Sequence, residues 1–156
     1  MTIHHLINSV AVIAAVALTA GCAAVNVNEQ PSESATVRAA RVASESRILG
    51  EKMLDAYIAD DADDFVALLS NDLRRNFNTE AFAANRATVE ETIGSAQSYE
   101  FLTELDAPVF RTYLWKVRFN RKAQLDEDKR FSQETVFRIV TADLDGKPCL
   151  VSFGFL

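Results

Sequence analysis

Chemistry without a bound cofactor needs side chains that donate protons or carry charge where water is scarce, and few positions in this chain qualify. Arg86 is the first. In the helical stretch that holds it, Arg86 lies within about 60° of Phe82, Val89 and Ile93 on a helical wheel, so it interrupts an apolar stripe. A buried guanidinium needs a carboxylate partner and could bind an anionic ligand, whereas one at a rim would reach out to solvent. Tyr57 sits on the apolar face of an earlier helix, where its phenol could serve a cavity as a donor or simply fill the core. In the strand-like run that follows, Arg111, Tyr113, Trp115, Val117 and Phe119 share one face. That row either lines a pocket or forms the core against the helices. The candidate pocket set is therefore Tyr57, Arg86, Arg111, Tyr113 and Trp115.

Other charged groups carry plainer readings. Glu134 and Arg138 fall on one face of a later strand, placed to pair across the sheet with Lys116 or Arg118. The acidic run Asp60 to Asp64 fails the calcium-loop template. A loop starting at Asp61 would put Phe65 at a ligand position, Val66 where glycine is required and Asp72 where a bidentate glutamate belongs. Helix capping accounts for it better. No metal site and no catalytic acid/base pair can be written from the chain.

The N-terminal apolar run from Leu6 to Ala20 leads into Leu18-Thr19-Ala20-Gly21-Cys22. This resembles the signal and lipobox of bacterial lipoproteins, which implies cleavage before Cys22 and lipid on its thiol. The run is shorter than the roughly 20 residues that span a bilayer. Ala23, rather than Asp, follows the cysteine. By analogy with lipoprotein sorting, that implies attachment to the outer membrane, facing the periplasm. Residues 1–21 are thus read as signal peptide, 22–35 as lipidated cysteine and polar tether, and 36–156 as one domain.

Both histidines, His4 and His5, fall inside that signal. Their removal would exclude Ser-His-Asp and Cys-His nucleophiles and histidine-bound metals. With Cys22 lipidated, Cys149 is the remaining thiol, set in an apolar strand context that reads as inert and buried. The five glycines do not cluster, so no phosphate-binding loop exists. A formal charge of −6 argues against nucleic acid as a partner. No cofactor is expected.

The elements that must position these groups change period midway. Between Arg47 and Ile58, Leu49, Met53, Leu54, Ala56 and Tyr57 occupy one arc, and the helix has few breakers back to Ser34. The Asp60 to Asp64 run opens a second helix carrying Phe65, Leu68, Leu69 and Leu73; Asn78 caps a third that runs from about Thr79 to Thr92 or Ile93, with Gly94 placed to end it. Strand-like runs follow at 98–105, 109–124, 130–142 and 149–156. Turns are expected at Asp106-Ala107-Pro108, Asp126-Glu127-Asp128 and Asp143 to Pro148. The expected fold class is α+β, with N-terminal helices packed on a four-stranded antiparallel meander.

This order of elements resembles the NTF2-like, cystatin-like group, including its SnoaL-type members and small bacterial lipoproteins of the same layout. The likeness rests on Tyr57 to Leu69, Ile93-Gly94-Ser95, Phe101-Leu102 and Leu114 to Val117. It implies a strongly curved sheet forming a cone around a cavity. It also allows a homodimer, or an envelope protein partner, on the open face of the sheet. A cystatin-type inhibitor is not indicated, because the Gln-x-Val-x-Gly loop is missing. Two functional readings follow. The leading one is a lipid-anchored, non-enzymatic interaction or accessory module of the cell envelope. The alternative is a small-molecule binder or cofactor-free enzyme that uses the cone, with Arg86 as anion contact and Tyr57 as donor.

Overall fold

The structure is a computed structural model that describes the backbone of residues 33–107, 109–123 and 126–156. The signal, Cys22 and the tether up to residue 32 lie outside the described residues. Glu33–Leu156 forms one compact unit. Its elements run α1 (Ala35–Ala59), α2 (Ala62–Ala67), α3 (Asn71–Arg74), α4 (Thr79–Thr92), then β1 (Ser95–Asp106), β2 (Phe110–Ala123), β3 (Asp126–Leu144) and β4 (Lys147–Phe155). The strands form one antiparallel sheet in the order β1-β2-β3-β4. The expected architecture, helices on a four-stranded meander, is the one this chain adopts.

Local chemistry explains where the helices begin and end. The α1 helix takes the early start that the breaker-free stretch allowed, with Ser34 Oγ accepting from the Val37 N–H. It stops at Asp60, which adopts the left-handed conformation (φ 60°). Next to it, Asp61 caps α2 by accepting from the Asp64 N–H at 2.9 Å. Asn78 does the same for α4 through Ala81. Gly94, at φ 101°, ends α4 and donates to the Val89 and Glu90 carbonyls.

Two expectations need correction. The second helix is not continuous from Asp60 to Leu73: α2 ends at Ala67, and α3 begins after Ser70, which is extended. Phe65 and Leu69, on either side of the end of α2, are both buried. Likewise, Asp126-Glu127-Asp128 belongs to the backbone of β3 rather than to a turn. Pairing with β2, which reaches Ala123↔Asp126 after a register shift, satisfies backbone groups that a longer loop would leave to water. The β3–β4 link is a two-residue turn, Asp145-Gly146, with both φ values positive as a type I′ hairpin requires.

Register shifts at Ala96/Ser98 and Phe101/Thr103 in β1, and at Val140/Thr141 in β3–β4, bend the strands. The inner face of the sheet carries Tyr113, Trp115, Val117 and Phe119, all fully buried, beside Phe137 and Ile139. Met53, Leu54, Ala56 and Tyr57 of α1 cover them. Burial of each large apolar side chain contributes about 1.5–3 kcal/mol, so this row is the main source of stability. Gly50 of α1 is part of the fit, because a Cβ there would overlap the Trp115 indole. Ser46 and Thr141 bring two hydroxyls into the core and satisfy each other at 3.1 Å.

Candidate functional site

An aromatic cavity of about 440 Å³ opens between α1, α2, α4 and the end of β4. Tyr57, Phe65, Phe77, Phe82, Asn85, Val89, Phe137, Phe153, Gly154 and Phe155 line it. The helices set its floor: α1 delivers Tyr57 one turn before its end, α2 delivers Phe65 and the first turn of α4 delivers Phe82. Phe153 and Phe155 come from alternate positions of β4, so the pleat turns both to the same face. The rings meet edge to face or tilted, with centroids 5.2 Å apart for Tyr57–Phe155 and 4.9 Å for Phe65–Phe82. Tyr57, Phe65, Phe82 and Phe137 are buried, whereas Phe77, Val89, Phe153 and Phe155 are half-buried and Asn85 is exposed at the rim.

Among the described residues that line the space Tyr57 alone carries a hydroxyl, and that oxygen, itself buried, has no hydrogen-bond partner among the described residues. Burial pushes the phenol up to about 12; the Arg86 guanidinium works against that shift, and Glu90 and Asp60 add to it. The group is a proton donor at neutral pH and a poor acid or base.

Arg86 stands beside this cavity rather than in it. Its Nε donates to Asp60 Oδ1 at 2.9 Å, its Nη2 to Glu90 Oε1 at 2.9 Å and its Nη1 to the Tyr57 carbonyl. The guanidinium carbon lies 5.5 Å from the Tyr57 ring centroid. Each nitrogen is engaged, and the side chain is 14% exposed. The arrangement is a clasp that ties the C-terminal end of α1 to α4 and places a cation on helix carbonyls. It offers an incoming anion two carboxylates as neighbours.

The remaining sequence candidates lie elsewhere. Tyr113 and Trp115 are fully buried core, with centroids 6.2 Å apart, and line neither this cavity nor the one described next. Their Oη and Nε1 also lack partners among the described residues. Arg111 lies in a second cavity of about 420 Å³ at the β1–β2 hairpin, lined by Ala39, Val42, Asp106, Ala107, Val109, Arg111, Thr141 and Asp143. It pairs with Asp106 at 3.2 Å and donates to the Ala39 carbonyl at 3.3 Å. Nearby, Arg38 pairs with Asp143 at 3.1 Å and Arg41 with Glu33 and Glu45. The Arg38 hydrogen bond and the Gly146 N–H hold the Asp143 carboxyl below its usual range. The structure therefore joins Tyr57 with Arg86, keeps Tyr113 and Trp115 in the core beneath α1 and places Arg111 in a different cavity.

On the outer face, Glu134 pairs with Arg118 at 3.2 Å as its register allows, while Lys116 takes Glu100 at 2.8 Å. Arg138 joins no such pair among the described residues, and its Nε is buried without a partner. Cys149 is half-buried rather than buried, because it lines an open groove with Leu49, Leu68 and Leu150. No group of three metal-ligating side chains occurs among the described residues, and no helix there is long and apolar enough to cross a membrane.

Sequence reasoning missed the phenylalanines of the cavity. Phe65 and Phe82 were visible as apolar helix positions and Phe153 and Phe155 as a strand alternation, but nothing in their spacing ties the three segments to one space.

No protein-family model and no curated protein matches the chain. Among solved structures, it is similar to a SEC-C motif containing protein from Rhodopseudomonas palustris, at 20% identity over 76% of this chain and 86% of that one, with a TM-score of 0.50. It is more weakly similar to Aln2 from a Streptomyces species, at 13% identity over 74% and 89%, with a TM-score of 0.48. An NTF-2 like protein of unknown function from Shewanella oneidensis follows, at 9% identity over 72% and 97%, with a TM-score of 0.44. These are likenesses of fold alone.

Proposed function

We propose that this protein is a non-enzymatic accessory module of the cell envelope, anchored by lipid on Cys22, that holds a small apolar molecule in its aromatic cavity. The anchor follows from the Leu18-Thr19-Ala20-Gly21-Cys22 sequence, and Ala23 favours the periplasmic face of the outer membrane. The ligand reading is carried by one observation: a space of about 440 Å³ walled by seven aromatic side chains and no charged one. Small-molecule sites have this composition, mostly apolar with few polar groups. A space of about 150 Å³ lined by Leu and Phe already takes up benzene, which gives the scale.

Turnover is disfavoured by the same chemistry. The nearest ionisable groups, Asp60, Glu90 and Arg86, are committed to one another, and the phenol stays protonated until strongly alkaline pH. Native mass spectrometry of the protein gently extracted from its own membrane tests both halves of the proposal. The expected species begins at Cys22, carries acyl chains and retains a reproducible apolar adduct. An uncleaved chain would overturn the anchor, and a bare lipidated chain would overturn the ligand.

A further inference from the structure

We infer that the end of the domain at which α1 begins is a membrane-docking surface, whose exposed apolar side chains seat in the boundary between headgroups and acyl chains. The inference rests on the reading that Cys22 carries lipid, and goes beyond attachment by assigning the face that meets the bilayer. Five of the nine large apolar residues that stand exposed among the described residues gather at this end. They are Val37, Leu105, Val109, Phe110 and Leu144, each between 46% and 66% exposed. Single exposed apolar residues are ordinary, whereas a gathered set marks contact with a partner or a membrane.

The topology brings them together. In the sheet, Leu105 pairs with Thr112 and Phe110 with Ala142. Strand alternation therefore sets Leu105, Phe110 and Leu144, two residues past Ala142, on the outer face, opposite the buried Tyr113 and Trp115. Val109 stands in the link between β1 and β2. Val37 lies in the first turn of α1 beside Arg38, whose bond to Asp143 ties that turn to the end of β3. Glu33 is held at the same place, because Arg41 donates both to its carboxylate and to the Gly146 carbonyl in the β3–β4 turn. The described chain thus begins at the apolar end.

The length of chain back to the lipid selects the membrane as the occupant. Eleven residues, 22–32, separate Cys22 from Glu33. Fully extended they would span at most about 40 Å, close to the roughly 37 Å length of the 25-residue α1. Whatever path they take, the start of α1 stays within that reach of the bilayer, while its end at Ala59 has room to lie twice as far away. Such confinement raises the effective concentration of lipid at this end, so a patch too weak to hold a free protein suffices for an anchored one. The contact is apolar rather than electrostatic: Arg38, Arg41 and Arg111 are each paired with a carboxylate, and the chain carries a net charge of −6.

The test uses the processed, acylated protein reconstituted into phosphatidylcholine vesicles, with acylation verified by intact mass. Cys149→Ser removes the remaining thiol, and an environment-sensitive fluorophore is attached at Val109→Cys or, as a control, at Asp63→Cys, an exposed position in α2 just beyond the far end of α1. Lipids with brominated acyl chains are expected to quench the label at 109 and to leave the label at 63 emitting. Phe110→Glu combined with Leu144→Glu should abolish the quenching, and Leu144→Glu alone, at the end of its strand, should reduce it. Ile48→Glu, which changes an equally exposed apolar residue about 16 Å farther along α1 than Val37, should leave it unchanged.

Absence of quenching at 109, or equal quenching at 109 and 63, overturns the inference and leaves the anchor standing. Quenching that disappears in high salt reveals a charge-driven contact and overturns it too. A spectral shift at 109 that grows with protein density, without quenching by lipid, assigns the patch to a second copy of the chain instead. A chain that carries no acyl groups overturns the anchor, and this inference with it.

Discussion

Two cavities of this domain are nearly equal in volume, about 440 and 420 Å³, and opposite in chemistry. The one under α4 is walled by aromatic rings and keeps its charges outside, in the Arg86 clasp. The one at the β1–β2 hairpin has Arg111, Asp106 and Asp143 in its wall, with Arg38 beside it, and these charges pair with one another near solvent. Between them stands a packed middle, where Trp115 fills the space against Gly50. Volume alone therefore does not mark a binding site. The aromatic cavity has no charged side chain in its lining, whereas the hairpin cavity pairs its charges internally.

The comparison can be broken most directly at the cavity floor. Phe82→Ala removes a ring in contact with Tyr57 and Phe65 and is expected to cost about 3–5 kcal/mol by urea denaturation. Loss below about 1 kcal/mol would mean that the aromatic wall is not part of the core. Next come the two arginines. Arg86→Met should cost about 2 kcal/mol, because it leaves Asp60 and Glu90 facing each other and frees the Tyr57 carbonyl. Arg111→Met should cost about 0.5 kcal/mol, since its partner Asp106 is 68% exposed. Equal costs would erase the distinction between clasp and rim.

An effect of opposite sign, smaller than that at Arg86, is expected at Tyr57. Tyr57→Phe removes a buried hydroxyl with no partner and should stabilise the ligand-free protein by about 1 kcal/mol. The same phenol makes an alkaline signature. Its folded pKa, about 12 against 10 for the free group, gives stability that is full below pH 10 and lost as pH climbs through 12. Tyr99, raised by burial and its bond to Asp55, adds to that loss, so the variant should retain part of it.

The smallest change belongs to the hairpin cavity. Asp143 has its pKa lowered from 3.8 by Arg38 and the Gly146 N–H, so its contribution is present above that value and fades as pH falls below it. Asp143→Asn should flatten the acid limb of an unfolding titration without touching the alkaline one. An unchanged acid limb would remove Asp143 from the account.

Much of the fold was legible because it is written in local terms. The cap Asn78, the stop at Gly94 and a turn within Asp143 to Pro148 act within a few residues of themselves. The change of period after Gly94 announces the sheet. Burial of Tyr113 and Trp115 followed from strand alternation, which admitted both pocket and core. The break after Ala67 was not legible, because Leu68 and Leu69 continue a helical pattern that only the position of the sheet interrupts. Arg86 was legible as an anomaly in an apolar stripe, but its destination was not, since Asp60 lies 26 residues away in sequence and the Tyr57 carbonyl 29.

By itself the sequence determined the elements, their order, the charge balance and a Cys22 motif that can be read as an address, because each depends on neighbours along the chain. Only the tertiary structure decided which rings share a cavity, which charges cancel and which hydroxyl is left over. Those outcomes depend on residues that approach through space, and the hydrophobic effect that drives them together carries no direction of its own.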